Sequence, residues 1–341
     1  MYFIVLAAMK HEKKETELKT KMIVDADTIR RFHSMAKELV QLADSIGRHE
    51  RVDFAEVWPE TMGDKDARNK HLPLFLGLTS TDEKLVVDLA SLPNLLVGGA
   101  TGQGKSNLLN SIICGLTRLL PPDELRLVLV DTKCVEFTPY AALPHLAFQT
   151  IIDRNKCISV LRWLADEESR RLKALAFAEC QNIAEYREKG NAMPSIVVVI
   201  DEFADLMFSH GKEFETAVSQ LFSYGRATGI HLVMATQRAD HNVLTVSLRC
   251  CFPCRISFRT RNLSESNLIL DSPDADVLCA PGDMLVRQKD GSLVRAQCAF
   301  LSAIDSGTIT EDIMKWYPHA AYLASISDSM LPVSVSTSTT G

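Results

Sequence analysis

The sequence predicts an α/β protein whose mostly parallel sheet is covered by helices on both faces. Short apolar runs rich in leucine and β-branched residues alternate with longer helical segments, which is typical of a parallel sheet buried on both sides. A glycine-rich loop of the form G-x-x-x-x-G-K-S joins one of these runs to a helix. Two adjacent carboxylates follow another run, at the strand end where such sheets place their binding sites.

The strands and helices lie in the part of the chain that follows residue 72. The predicted strands are 85–89, 94–97, 125–130, 196–200, 230–236, 255–258 and 284–286. The predicted helices are 105–119, 155–178 and 213–227. We therefore assign residues 73–318 to one α/β domain.

The two ends of the chain are predicted to lie outside this domain. Residues 1–72 form a small, partly helical region: apolar side chains at 28–46 follow the three-four spacing of one helix face, and the charged stretch 47–72 indicates a loop-rich connector. The apolar start at 1–9 fits either a first strand or the stub of a truncated membrane anchor. Residues 319–341 are rich in serine and threonine and predict a disordered tail.

Charge, hydropathy and cysteine content exclude several classes of protein. The net charge of −6 argues against a basic nucleic-acid coat, so any DNA contact depends on a local patch. No run reaches the ~20 apolar residues of a membrane span, which predicts a soluble chain without a membrane segment. Nine cysteines without framework spacing indicate a reducing, cytoplasmic setting. The pair Cys251 and Cys254 lacks further ligands and is interpreted as small buried or loop thiols, not a zinc site.

The glycine-rich loop predicts a site for ATP and Mg²⁺. Glycines let the backbone turn tightly and direct successive N–H groups at phosphate oxygens, and the following helix adds its positive end. Lys105 is expected to reach the β- and γ-phosphates, and the Ser106 hydroxyl to bind Mg²⁺. The flanking strand and helix disfavour the alternative, a simple glycine turn with an exposed lysine. The predicted nucleotide-binding residues are Gly99, Ala100, Thr101, Gly102, Gln103, Gly104, Lys105, Ser106 and Asn107.

The ends of two other strands supply candidate catalytic residues. An aspartate at the position of Asp201 holds Mg²⁺ in phosphate-loop enzymes, and a glutamate at the position of Glu202 polarises the attacking water as general base. An acidic first helix turn is the alternative interpretation. Gln237 is predicted to sense the γ-phosphate or to orient water, although it also fits an ordinary polar strand end.

Arg226 lies just before the strand 230–236 and has two possible roles. An arginine delivered to the γ-phosphate of a neighbouring subunit stabilises the charge of the transition state. Arginines at helix ends also simply bind the last carbonyl groups. The residues alone leave both roles open.

Taken together, these motifs resemble the motor domain of the FtsK/SpoIIIE family of hexameric double-stranded DNA translocases. The resemblance runs from about residue 80 to residue 317. The matching stretches are 92–106, 129–137, 143–146, 198–207, 229–238 and 281–285. The strings Asp-Glu-Phe-Ala-Asp-Leu-Met and Gly-Ile-His-Leu-Val-Met-Ala-Thr-Gln-Arg are specific to this branch of the RecA-like ATPases.

The resemblance implies a RecA-like P-loop fold, ATP hydrolysis and a ring of six subunits with DNA in the central channel. It also implies that Arg226 is an arginine finger that acts on the neighbouring subunit. Double-stranded DNA and further copies of the chain are therefore the expected partners. A membrane-anchored or recombinase partner that recruits the motor is compatible with this domain organisation.

The resemblance further suggests where DNA binds. Arg238 and Arg249 coincide with basic positions on the pore-facing loops of the family. In the second pore loop the chain departs from the family pattern, and Arg259 and Arg261 lie slightly before the usual basic positions. The alternative interpretation of these arginines is a set of surface or interface ion pairs.

The predicted function is therefore that of an ATP-driven translocase of double-stranded DNA. Chromosome or plasmid segregation and mobile-element transfer are both compatible with it. The alternative is a protein-secretion motor, because type VII secretion ATPases share the fold and the motifs but carry polypeptides. A ring without hydrolysis is disfavoured by the intact set of Lys105, Ser106, Asp201 and Glu202.

Overall fold

The computed structural model describes residues 51–279 and 281–318, together with Met35. The chain divides into two compact units, Met1–Arg48 and His49–Gly341, and all the described residues except Met35 belong to the second. The helix predicted at 28–46, the apolar start and the tail at 319–341 lie outside the described residues. Among those described, no helix has the length and apolar composition needed to cross a bilayer.

The described chain alternates helices with strands, here numbered in chain order. The helices are α1 Phe54–Gly63, α2 Lys65–Arg68, α3 Lys105–Leu119, α4 Arg154–Phe177, α5 Ile183–Glu188, α6 Ala204–Thr228, α7 Val246–Cys250, α8 Leu263–Leu270 and α9 Ala303–Trp316. The strands are β1 Pro73–Thr79, β2 Lys84–Asp88, β3 Asn94–Gly98, β4 Leu125–Val130, β5 Ser195–Ile200, β6 Ile230–Thr236, β7 Cys254–Phe258, β8 Asp283–Arg287 and β9 Leu293–Cys298.

These strands form a nine-stranded sheet in the order β2-β1-β9-β8-β7-β3-β6-β5-β4. The five strands from β7 to β4 are parallel to one another. The remaining four extend the sheet with antiparallel pairings. The predicted α/β class is confirmed, and β1 and β9, which the sequence did not indicate, belong to the antiparallel extension.

Both faces of the parallel strands are buried, which explains their continuous apolar sequences. In β5 the side chains of Val197 and Val199 join one core cluster, whereas those of Ile196, Val198 and Ile200 join the other. This alternation is the two-residue period of a strand. Helices α1, α3 and α9 contribute to the first cluster, and α4, α6 and α8 contribute to the second.

The segment predicted as a loop-rich connector contains a helix that packs on the sheet domain. Helix α1 begins after Asp53, whose carboxylate accepts a hydrogen bond from the N–H of Ala55 and caps the first turn. The rings of Phe54 and Trp58 stack with their centroids 5.8 Å apart, and both side chains are buried in the first core cluster. Residues 54–63 therefore share the core of the strands that follow them.

Helix α6 begins nine residues before its predicted start at Glu213. The polar stretch around Gly211 hides the helical period from the sequence. Leu206, Met207 and Phe214 nevertheless continue one buried face along the helix. The longer helix starts directly beside the carboxylates that end β5.

Two glycines of α6 provide a matched test of how closely this helix packs on β6. A Cβ at Gly225 would lie 2.4 Å from the carbonyl oxygen of Ile230, whereas nothing lies within 4 Å of a Cβ at Gly211. We expect Gly225→Ala to lower the free energy of unfolding by about 1–3 kcal/mol because the backbone must shift. Gly211→Ala should raise it by about 0.5–1 kcal/mol because alanine loses less entropy in a helix. Urea unfolding of the two variants measures the difference, and changes of the same sign would contradict the packing.

Candidate functional site

The carboxyl ends of β3, β6 and β5 lie side by side at one edge of the sheet. Gly98, the last residue of β3, is in register with Thr236, the last residue of β6. Ile200, the last residue of β5, is in register with Met234 of β6. The glycine loop, the predicted glutamine and the carboxylate pair therefore emerge at the same edge, as binding residues do in open α/β sheets.

The glycine loop has the backbone that phosphate binding requires. Gly99, Gly102 and Gly104 have φ values of 140°, 76° and 123°, which favour glycine over other residues. Helix α3 begins at Lys105, and its N-cap makes no side-chain hydrogen bond. The N–H groups of the first turn have no acceptor within the helix. These residues fit a polyphosphate bound at the helix N-terminus.

Lys105 lies across this loop and is 4% exposed. Its Nζ donates to the carbonyl oxygens of Gly99, at 2.8 Å, and Ala100, at 3.0 Å. Burial lowers the pKa of Lys105 to about 8, against the opposing attraction of Glu202 and Asp201. The ammonium group thus sits at the loop with carbonyl partners that a phosphate group can replace.

Glu202 is held against the end of β6. The hydroxyl of Thr236 donates to its Oε1 at 2.6 Å, and the N–H of Gln237 donates to its Oε2 at 3.0 Å. The Nζ of Lys133 lies 3.7 Å from the same Oε2. The predicted general base is therefore fixed by donors from two other strand ends, and only 4% of it is exposed.

Asp201 is buried beside Glu202 and has a perturbed pKa. Burial raises its pKa to about 7, and the nearby carboxylates of Glu136, Glu202 and Asp131 add to the effect. A divalent cation at this place would relieve the repulsion. Within the described ranges no group of three or more His, Cys, Asp or Glu side chains is placed to hold a metal by itself. Mg²⁺ would therefore need the Ser106 hydroxyl, phosphate oxygens and water beside Asp201.

Gln237 connects the glycine loop to Glu202. Its Oε1 accepts a hydrogen bond from the hydroxyl of Thr101 at 2.7 Å, while its backbone N–H binds Glu202. The structure thus joins the loop after β3 to the carboxylate after β5 through one residue after β6.

Lys133 and Thr236 complete the site, although neither had a predicted role. Lys133 is positioned by Asp131, whose carboxylate accepts hydrogen bonds from the backbone N–H groups of residues 133, 135, 136 and 137. Asp131 directly follows β4, so its place at a strand end was a usable signal. Thr236 is the last residue of β6, so its place at a strand end could likewise have indicated a role in the site.

Asn107 differs from the other predicted nucleotide-binding residues. Its side-chain nitrogen donates to the carbonyl oxygen of Ala299 at 2.5 Å, and its side-chain oxygen accepts from the N–H of Leu301 at 2.8 Å. The side chain therefore ties α3 to the segment before α9. Only the backbone N–H of Asn107 is left for a phosphate.

Arg226 lies far from the glycine loop of its own chain. It is exposed in the last turn of α6, 22 residues after Ala204. At 1.5 Å per residue this places it roughly 33 Å along the helix from the Asp201–Glu202 end. The structure does not bring Arg226 together with the other predicted catalytic residues.

The four predicted DNA-binding arginines lie at two edges of the sheet. Arg238 follows β6, and Arg259 and Arg261 follow β7, all at the edge of the glycine loop. Arg249 precedes β7 and lies at the opposite edge. One continuous patch within a single chain therefore does not contain all four.

Two of these arginines have acidic partners, as the ion-pair interpretation expects. Arg261 binds Glu265 at 2.6 Å. Arg249 binds Asp271 at 3.0 Å, and two further guanidinium groups lie near the same carboxylate. These belong to Arg255, at 2.9 Å, and Arg287, at 3.6 Å.

Arg238 and Arg259 are exposed, as is Arg261. The guanidinium of Arg238 lies 5.0 Å from the centre of the Phe208 ring. The backbone oxygen of Arg259 accepts a hydrogen bond from the N–H of Ala100 in the glycine loop. In the part of the chain that the structure describes, no carboxylate pairs with either side chain.

The cysteine pair lies in the interior of the domain. Cys251 and Cys254 are both buried, and neither forms a disulfide. This agrees with their interpretation as small buried thiols.

Comparison with known proteins identifies relatives of the chain. The sequence model of the FtsK/SpoIIIE family matches residues 60–240. A DNA translocase FtsK from Chlamydia trachomatis is 36% identical over 270 residues, which cover 74% of this chain and 34% of that protein. The chain thus spans about a third of the length of this curated relative.

Solved structures show the same fold. The conjugation coupling protein TcpA of pCW3, in a monomer form with ATPγS, is 29% identical with a TM-score of 0.66, covering 74% of this chain and 73% of that one. The cytoplasmic domain of the type VII secretion ATPase EccC from Thermomonospora curvata is 26% identical with a TM-score of 0.64, covering 71% and 31%. Both neighbours confirm the predicted fold class.

The lowered pKa of Lys105 predicts how nucleotide binding depends on pH. Below about pH 8 the lysine is already charged, whereas above it the neutral amine must take up a proton when phosphate binds. We expect the ATP association constant to fall by up to about tenfold per pH unit above pH 8. Titration calorimetry between pH 7 and 9.5 measures this, with Lys105→Arg as control. The arginine stays charged, so its remaining affinity should not fall, and a flat wild-type profile would contradict the assignment.

Proposed function

The chain belongs to the FtsK/SpoIIIE family, and on that premise we propose that it is an ATPase that moves along double-stranded DNA. The row of adjacent strand ends carries this proposal, because it places Lys105 and Glu202 at one edge of the sheet. Lys105 and the glycine loop bind the phosphates, and Asp201 with Ser106 would hold Mg²⁺. Glu202 accepts the proton of the attacking water. A metal ion held by these residues would neutralise charge that develops on the phosphates.

Hydrolysis in this proposal requires a neighbouring copy of the chain. Arg226 is too far from the loop of its own chain to stabilise the transferring phosphate. An exposed arginine on a long, regular helix is well suited to reach the nucleotide of an adjacent subunit. We propose a ring of six such subunits, with each nucleotide at a seam between two of them.

The DNA contact is proposed at the edge that carries the glycine loop. Arg238 and Arg259 are exposed there, and they contribute positive charge to a chain whose net charge is −6. Contacts to phosphates carry no sequence information, which suits a motor that must pass over any sequence. Arg261 contributes there where a DNA phosphate displaces Glu265. Arg249 lies at the opposite edge of the sheet and contributes at a separate contact, where a phosphate displaces Asp271.

A protein-secretion motor is the second candidate, and the likeness to EccC favours it. The nucleotide site is compatible with either substrate, because triphosphate cleavage needs the same groups in both. The exposed arginines favour DNA, since an extended polypeptide does not offer a regular row of phosphates.

We place the motor in the cytoplasm, where reducing conditions suit its nine free cysteines. A membrane-anchored or recombinase partner would recruit it to its place of action. The coupling protein TcpA illustrates that a related fold serves conjugation.

Measurement of ATP turnover tests the catalytic assignment. We expect linear duplex DNA to stimulate turnover, and Glu202→Gln to lower kcat by at least about a hundredfold because the general base is lost. Glu213→Gln, which changes an exposed glutamate on α6 that pairs with Arg162, is the matched control and should stay within about twofold of wild type.

A DNA-binding measurement, taken together with the turnover assay, separates the two candidate functions. A gel shift at low and high salt should show duplex affinity that falls steeply as counterions compete. If duplex DNA does not change ATP turnover, and if the affinity for duplex does not depend on salt concentration, the secretion motor is the better candidate. Full turnover in Glu202→Gln would contradict the catalytic assignment itself.

Mixing of variants tests whether Arg226 acts on the neighbouring subunit. Arg226→Ala and Glu202→Gln should each be inactive alone. In a one-to-one mixture, about a quarter of the seams combine an intact glutamate with an intact arginine, so turnover should recover to about a quarter of wild type. A mixture as inactive as its components would show that the arginine does not act across a seam.

A further inference from the structure

The hydroxyl of Thr236 lies between the candidate general base and the backbone of a candidate DNA-binding residue. It donates to Oε1 of Glu202 at 2.6 Å and accepts from the N–H of Arg238 at 3.0 Å. The carbonyl oxygen of Arg238 also lies 3.1 Å from the same hydroxyl. Thr236 is fully buried, so water does not compete for these contacts.

A threonine hydroxyl carries one proton and therefore satisfies one acceptor at a time. In this structure it has two acceptors within reach, the carboxylate of Glu202 and the carbonyl group of Arg238. The shorter distance favours the carboxylate. A shift of the Arg238 backbone by a few tenths of an ångström changes that balance, because hydrogen bonds weaken steeply with distance and angle.

The backbone of Arg238 is tied to a side chain that is free to bind a phosphate. The Arg238 guanidinium is exposed and rests on the ring of Phe208, on the first turns of α6. A phosphate competes with this weak cation–π contact, since a charge-assisted hydrogen bond is the stronger interaction. Binding of a duplex at Arg238 therefore displaces a residue whose backbone contacts Thr236 twice.

From these contacts we propose that Thr236 is a positioning residue that couples DNA contact at Arg238 to the placement of Glu202. Without DNA, the hydroxyl holds the carboxylate against the end of β6. When a phosphate shifts Arg238 so that its carbonyl group comes closer to the hydroxyl, the hydroxyl donates to that carbonyl group, and Glu202 is released and turns toward the nucleotide. The inference rests on the proposed function, because it needs both the base and the DNA contact.

The Gln237 contact sets the limit of this movement. Its N–H holds the other carboxylate oxygen, and its side chain accepts from Thr101 of the glycine loop. Release of Oε1 alone therefore lets the carboxylate rotate about a point that stays fixed to the nucleotide loop. Duplex binding thus changes the orientation of Glu202 without removing it from the site.

Removal of the hydroxyl tests the coupling. Thr236→Val keeps the shape of the side chain and lacks the proton donor, whereas Thr236→Ser keeps the donor. We expect the ratio of duplex-stimulated to basal turnover to fall at least about threefold in Thr236→Val and to stay within about twofold of wild type in Thr236→Ser. Thr117→Val removes a buried hydroxyl that binds only within α3 and should also keep the wild-type ratio.

Affinity for ATP and a double-variant cycle separate coupling from a structural defect. Thr236→Val should bind ATP within about threefold of wild type, because the hydroxyl that it removes binds Glu202 and Arg238 and not the glycine loop. Arg238→Ala should lower the ratio of duplex-stimulated to basal turnover by the same factor. The double variant should lower it no further, since both changes interrupt the same coupling between Arg238 and Glu202. Thr236→Ala replaces the valine variant if that protein does not fold.

The possible results are distinguishable. An unchanged stimulation ratio in Thr236→Val, or an equal loss in Thr236→Ser, overturns the coupling role, and so does additive loss in the double variant. Wild-type turnover that does not respond to duplex overturns the proposed function, and the coupling with it. Loss in the valine and arginine variants together with retention in the serine variant supports the inference.

Discussion

The register of three parallel strands is the constraint on which the rest of this structure depends. Gly98, Thr236 and Ile200 end their strands at nearly the same level, and the strands are buried on both faces. A slip by one residue would exchange the side chains of the two cores, so the register is strongly specified. Because the register is specified, the residues that follow meet within hydrogen-bond distance. The contact between Glu202 and Thr236 is thus a product of core packing elsewhere in the sheet.

The same arrangement places charge where burial makes it costly. Asp201 and Glu202 are adjacent and nearly inaccessible, and the raised pKa of Asp201 reports the resulting repulsion. Two lysines, Lys105 and Lys133, offset part of it. A cluster in which burial and like charges shift pKa values is expected where a cation or a reacting group will bind. The core strands thus carry the stability, while their ends hold a group of charges that gains from a metal ion and a nucleotide.

Local patterns predicted the elements of the parallel core but not all of their partners. Helix α3 spans the residues that the sequence predicted, because a phosphate loop and a clear apolar period define it. Strand β1 escaped prediction since it contains Gly77, which allows a close approach to the carbonyl oxygen of Gln297 at a bulge. Strand β9 includes Arg295 and Gln297, so it lacks the continuous apolar run by which the parallel strands were recognised. The contacts of Glu202 with Lys133 and Thr236, and the ion pair of Arg249, join distant parts of the chain and leave no local trace.

Helix α6 and strand β6 connect the two ends of the proposed mechanism. The helix begins beside Glu202 and carries Arg226 in its last turn, and Gly229 in the left-handed conformation returns the chain directly into β6. The strand then ends at Thr236, whose hydroxyl closes the unit by binding Glu202. In the proposed ring, Arg226 contacts the nucleotide of the next subunit at one end of this unit. Helix α6 and strand β6 are continuous between that end and the hydrogen bond of Glu202 with Thr236. In the proposed ring, the contact with the neighbour's nucleotide and the hydrogen bond that would position the base thus belong to one structural unit.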